Sequence, residues 1–195
     1  GYTSIAAEMG DADLKALVEQ IAAESLPVVE DPGILSPRAF IDEVLHERFP
    51  NPAIPDTPQR IAADTSQKLP VRYGGTLRRY ARQSEQALAG LEFAPLVFAG
   101  WCRYLLGVDD RGNAMPVSPD PMLPQLQAHL KGIEVGRPDS LAGQLRPILS
   151  NAALFGVDLY AAGLGERTEE MFRDMLAGPG AVRATLHRNC ACKQP

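Results

Sequence analysis

The stretch Phe93–Leu106 constrains this chain more than any other, because it is apolar almost all the way round rather than along one stripe. A helix of that kind has no polar face to offer to water, so other elements must enclose it on most sides. It is too short to cross a bilayer and it carries Arg103. The fold therefore has to be built around it, and Gly107 stands where a glycine ends many helices.

The flanking segments can supply that enclosure. Leu14, Leu17, Val18 and Ile21 recur at i, i+3, i+4 and i+7, with Asp11 or Asp13 available as an N-cap. Ser36-Pro37 joins an N-cap residue to proline at the first helical position, opening a helix with Phe40, Ile41, Val44 and Leu45 on one face. Thr57-Pro58 repeats the device and predicts a helix to about Lys68, which Pro70 ends or kinks. A basic amphipathic helix is expected over Arg72–Leu88, and shorter ones near Pro121–Leu130, Ser140–Leu149, Thr168–Leu176 and Ala181–Arg188. Pro27–Leu35 reads as a linker. Phe49–Asp56, with three prolines, reads as an extended connection. Alternating β-branched runs are few, no hairpin dipeptide joins any, and no internal repeat occurs. The predicted fold class is mostly α.

Composition narrows the function. A formal net charge of −5 with no basic stripe argues against nucleic acid as partner. It still permits a small anionic substrate, which needs only one or two local cations. Hydrophobic residues at 45% and charged residues at 22% describe an ordinary soluble globular domain with no membrane span or signal peptide. Cys102, Cys190 and Cys192 have the spacing of neither a zinc site nor a disulfide framework. No metal is expected, and a reduced, cytoplasmic setting is the default.

Motifs of catalysis are missing. The sequence has no glycine-rich dinucleotide turn, P-loop, Gly-x-Ser-x-Gly elbow or His-Glu-x-x-His, and Gly74-Gly75 follows no strand. Asp109–Asn113 is a turn without the alternating acids of a calcium loop. No catalytic residue and no cofactor-binding residue can be named from the chain itself. Its sharpest local pattern is Arg60, Asp64 and Lys68, spaced i, i+4, i+8 on the helix expected after Thr57. One reading is a solvated salt-bridge ladder, each pair worth about 0.3–0.5 kcal/mol. The other is a pair of cations, oriented by Asp64, that face a cleft and hold an oxygen-rich ligand. Spacing alone favours the ladder. Asn51 and His46 read as structural, and Trp101 as an anchor of the core.

Longer patterns point further. Glu47-Arg48-Phe49-Pro50-Asn51-Pro52, then Arg60, then Asp64–Pro70, resembles the mannitol dehydrogenase family, which includes mannitol 2-dehydrogenases and fructuronate reductases (D-mannonate oxidoreductases). Ala99–Tyr104, Gly107–Asp109, Gly112–Ala114, Asp120–Leu123 and the opening Gly1-Tyr2 extend the resemblance along nearly the whole chain. The resemblance implies that residues 1–195 are a multi-helical, substrate-binding C-terminal domain of the 6-phosphogluconate dehydrogenase C-terminal-like type. It implies an N-terminal Rossmann domain that binds NAD and is absent from this chain. The implied reaction interconverts a sugar alcohol or aldonate, such as mannitol or mannonate, and its keto form, fructose or fructuronate, by hydride transfer. The family's catalytic Lys-x-x-x-x-Asn-x-x-His motif is expected just before Gly1.

Arg60 and Lys68 match substrate-binding positions of the family, and with the resemblance counted that reading overtakes the ladder. The Gly100–Tyr104 and Gly107–Ala114 runs resemble the fructuronate branch, whereas Arg60 leans toward the polyol branch, so the sugar stays open. The start without Met is expected to be a cut end. The faces near the first helix and around Arg60–Lys68 should then be apolar and exposed, covered by the chain's own N-terminal domain or by self-association. The competing expectation is a stand-alone helical binding module without activity.

Overall fold

The computed structural model describes residues 4–191, and these form helices and turns with two isolated β-bridges, Val108 with Ala114 and Glu134 with Arg137. In chain order the helices are α1 (Ile5–Glu8), α2 (Ala12–Ser25), α3 (Pro37–Glu43), α4 (Pro58–Ala62), α5 (Thr65–Arg72), α6 (Gly74–Gln83) and α7 (Glu85–Ala89). They continue with α8 (Phe93–Tyr104), α9 (Leu123–His129), α10 (Arg146–Leu149), α11 (Ala152–Phe155), α12 (Gly165–Met175) and α13 (Ala181–Ala191). The fold is mostly α, as its periodicity implies.

The central element is α8, the all-round apolar stretch. Phe98, Ala99 and Cys102 are wholly inaccessible to solvent. One side lies along α12 and another meets α2, which in turn packs on α13. Phe98 meets the rings of Tyr73 and Phe155 edge-on, at 5.2 and 4.9 Å between centroids. Both ends of α8 are tied down by distant groups. At its start the Glu24 carboxylate of α2 accepts the backbone N–H groups of Glu92, Phe93 and Ala94, placing negative charge at the positive end of the helix dipole. At its end the buried Arg103 guanidinium donates to the carbonyls of Val108 (2.6 Å), Asp109 (3.1 Å) and Met175 (3.4 Å). Gly107 follows with φ +67°. The Asp109–Asn113 turn is closed by the Asp109 carboxylate, which accepts from Arg111 N and Asn113 N at 2.8 Å each.

Several expected elements are interrupted. Ser36 does cap α3, accepting from Ala39 N, with Pro37 at the first position. The helix ends in a π-helical turn, Val44–Arg48, and of its expected apolar face Leu45 alone is buried while Phe40 is 44% exposed. The helix expected over Arg72–Leu88 is two helices. Ser84 adopts an extended conformation between them and its Oγ accepts from Ala87 N, so a start signal inside the apolar pattern overrides it. Pro70 lies inside α5 rather than ending it. Gly74 serves packing: a Cβ on Gly156, itself at φ +82°, would stand 2.6 Å from the Gly74 Cα, so α6 and the end of α11 touch backbone to backbone.

Candidate functional site

The helix expected from Thr57 to Lys68 breaks in the middle, and the break makes the site. Thr57 caps α4, its Oγ1 accepting from Arg60 N at 3.3 Å. After Ala62 the chain turns through Ala63 (ψ 143°) into Asp64, which holds φ +54°, the left-handed region. A distant segment holds that turn. Asp64 N donates to Pro119 O at 2.9 Å. Ser66 donates to both Asp120 oxygens, from N at 2.7 Å and from Oγ at 2.6 Å. Ser118 Oγ donates to Gln59 O at 2.9 Å and Ser118 N to Tyr104 Oη at 2.6 Å. Asp120 thus caps α5 from more than fifty positions away. Asp64 makes no side-chain cap.

Consequently the Arg60–Asp64–Lys68 ladder does not form. Arg60 pairs with Asp56 on its other side, Nε to Oδ1 at 2.6 Å and Nη2 to Oδ2 at 2.5 Å. The pairing is bidentate, and the guanidinium holds the Asp56 carboxyl below its ordinary range. Lys68 Nζ reaches back to Ile61 O at 2.9 Å, satisfying a carbonyl that the end of α4 leaves without a helical partner.

Arg60 and Lys68 nonetheless share one cleft, of about 880 Å³, between α1, α2, α4, α5 and α8. Its floor is apolar, with Leu14 and Val18 of α2, Leu69 of α5 and Trp101 of α8. Trp101 does both things at once. It is 8% exposed and packs edge-on against Phe155 at 5.9 Å, anchoring the core, while its other side lines the cleft. The ionisable lining residues with formal charge are Glu8, Arg60, Lys68 and Arg72, three cations to one anion in a chain whose net charge is −5. Gln59 Oε1, in the cleft wall, is buried without a hydrogen-bond partner.

Sequence reasoning missed Arg72, although it continues the i+4 series from Lys68, and it missed Asp56, one turn before Arg60. An acid four residues ahead of a base is the better-oriented pair, so that signal was legible. The other singled-out residues sit elsewhere. Asn51 Oδ1 caps Ala53 N at 2.9 Å, and His46 Nδ1 lies 3.0 Å from Asp42 O, both structural arrangements. Cys102 is buried, which pushes its thiol up to about 12, and burial raises Cys190 as well. Cys192, Gly1 and Tyr2 lie outside the described residues. No helix among the described residues is long and apolar enough to cross a membrane.

With this geometry in view, comparison with known proteins is specific. The family described as mannitol dehydrogenase C-terminal domain matches residues 1–171. The chain is 52% identical to D-mannonate oxidoreductase of Thermotoga maritima over 186 residues, 95% of this chain and 34% of that protein. It is 38% identical to mannitol 2-dehydrogenase of Emericella nidulans over 153 residues, 74% of this chain and 26% of that one. A solved structure of Pseudomonas fluorescens mannitol 2-dehydrogenase, in ternary complex with NAD and D-mannitol, superposes with a TM-score of 0.73 at 25% identity. That match covers 98% of this chain and 36% of the solved one. The chain therefore spans about a third or less of the length of these relatives.

Proposed function

This chain belongs to the mannitol dehydrogenase family, as its C-terminal domain, and from that premise we propose that it is the substrate-binding part of an NAD-dependent oxidoreductase acting on a sugar alcohol or an aldonate. The observation that carries the reading is the shared cleft, where the two family-matched cations, Arg60 and Lys68, stand over an apolar floor. A polyhydroxylated chain presents oxygens along its length. Arg60, already aligned by Asp56, keeps outward N–H groups for such oxygens, and Lys68 keeps donors beyond the one it gives to Ile61 O. Trp101 and the aliphatic floor exclude water from the carbon skeleton.

The cofactor belongs to a different part of the enzyme. NAD supplies the hydride acceptor in such a reaction, and the described residues offer it neither a strand nor a glycine-rich turn. We assign NAD binding and the catalytic Lys-Asn-His motif to an N-terminal Rossmann domain that covers this cleft in the whole protein, a cytoplasmic enzyme. The exposed Ile61 (46%), which lines the cleft on α4, and Val71 (75%), next to Arg72 on α5, support a covering partner there. In isolation the domain should be inactive and could self-associate through the same face.

The test is an NAD(H)-linked assay of the full-length enzyme with fructuronate, tagaturonate and fructose, alongside Arg60→Ala and Lys68→Ala. Each variant should raise KM by about tenfold or more, the loss expected for a charged hydrogen bond. No turnover of any of these substrates, or variants that match wild type, would favour a binding module without activity.

A further inference from the structure

Three cations line the cleft, but they are not equally available. Arg60 has two of its donor nitrogens occupied by the two oxygens of Asp56, so its charge is already matched. Lys68 donates to the Ile61 carbonyl, which leaves its charge unmatched but fixes where the ammonium sits. Arg72, one turn beyond Lys68 on α5, has no hydrogen-bond or ion-pair partner among the described residues. Its whole guanidinium fork is open, on a wall whose formal charge stays positive even after Asp56 is counted against Arg60 and Glu8 against Lys68.

A neutral polyol gives no reason for that excess. Hydroxyls are read well by neutral donors and acceptors, and an unmatched cation over an apolar floor gains little from them. A carboxylate is different: it fits an arginine fork with two parallel hydrogen bonds and neutralises the wall. Side chains one helical turn apart have Cβ atoms about 5–6 Å from each other, so Lys68 and Arg72 border the same short stretch of cleft and can face one anionic end group together.

We infer that Arg72 is a specificity-determining residue that receives a terminal carboxylate, with Lys68 beside it, and that the natural substrate is therefore an acid sugar rather than an uncharged polyol. Arg60, matched by Asp56, is left for hydroxyl oxygens. The inference rests on the dehydrogenase reading above, and it divides the labour among the cations of that same cleft.

D-mannonate and D-mannitol make a suitable probe pair, since they differ at one end only, a carboxylate against a hydroxymethyl group. NAD reduction by the full-length enzyme is measured with each, for wild type, Arg72→Met and Arg72→Lys. Arg72 is exposed, so these substitutions leave folding intact. Wild type should prefer mannonate. Arg72→Met should lower kcat/KM for mannonate by about 10- to 100-fold, chiefly through KM, the range for a lost charge-assisted bidentate contact. With mannitol the same variant should change less than about threefold, because a hydroxymethyl group takes no charge from the fork. Arg72→Lys should recover part of the mannonate loss, having charge without a fork. A wild type that prefers mannitol, or an Arg72→Met loss equal for both substrates, overturns the inference and leaves the dehydrogenase reading standing. No hydride transfer from either substrate overturns both.

Discussion

Of the largest fully buried side chains, all but Leu77 lie at or beyond Phe98, whereas each exposed large apolar residue of the described chain lies at or before Val71. The later region, from α8 onward, is closed on itself: Phe98, Phe155 and Phe172 are wholly inaccessible and α8 lies along α12. The earlier region joins that core through Leu69, Leu77, Leu88 and Leu91, but its first four helices form an outer layer that buries little. Ala16 is the one buried residue of α2, α3 and α4 bury none, and Ile34 is 92% exposed. The contrast separates two uses of apolar surface. One is spent inside the chain on stability. The other is left facing outward, and Ile61 among it borders the cleft, as surface for a ligand or a partner would.

The most direct way to break that contrast is truncation in each region. Phe172→Ala should cost about 3–5 kcal/mol in urea denaturation, the usual loss for a buried aromatic. Phe40→Ala should cost less than about 0.5 kcal/mol, since little contact is lost. Equal costs would mean that the outer layer is as much core as the inner one. A smaller effect is expected at the break that shapes the cleft. Asp64→Val should destabilise by about 1–2 kcal/mol, because a β-branched side chain resists the left-handed region that Asp64 occupies. Asp64→Gly should be close to neutral. Should Asp64→Val leave stability unchanged, the break is not strained and Asp120 alone would hold it.

Gln59→Leu should raise stability by up to about 1 kcal/mol, because it removes a buried acceptor that has no partner. A loss instead would show that Oε1 is satisfied in solution. The smallest effect concerns how the outer layer is pinned to the end of the chain. Asp11 pairs with Arg183 of α13 and caps α2, and the Arg183 hydrogen bond above all, then the Leu14 N–H, lowers its carboxyl from 3.8 to about 2. Asp13, His187 and Asp110 stand in the same cluster. A carboxyl lowered by folding contributes stability above its unfolded value and loses it as pH falls through the folded one. The stability gap between wild type and Asp11→Asn should therefore be full above pH 3.8 and shrink toward pH 2. A gap independent of pH over that range would remove the ion pair from the account.

Much of this organisation is written locally. The apolar stretch at Phe93–Leu106 demanded enclosure and received it. Ser36 and Thr57 cap the helices they were expected to cap, and of the two candidates Asp11 and Asp13 it is Asp11 that caps α2, since a cap needs only a side-chain oxygen and a backbone N–H two or three residues on. Gly107 and the Asp109 turn were legible for the same reason. The motif pattern placed the chain in its family, and Arg60 and Lys68 were drawn from it as candidates.

What the sequence could not supply lies in contacts between residues far apart along it. Helical spacing allowed Asp64 to bridge Arg60 and Lys68. Asp120, Pro119 and Ser118 end that helix instead, and from a one-dimensional pattern no residue can be seen to compete for a backbone group fifty positions away. The same holds for Glu24 capping α8 and for Gly156 meeting Gly74. The sequence by itself determined that the fold is helical and where Ser36 and Thr57 cap it, because those depend on neighbours within a turn, and its motif pattern gave the family. Only the tertiary structure decided that α4 and α5 part to open a cleft and that Arg72 is left with its fork open, because each depends on which distant groups reach the donors and acceptors there.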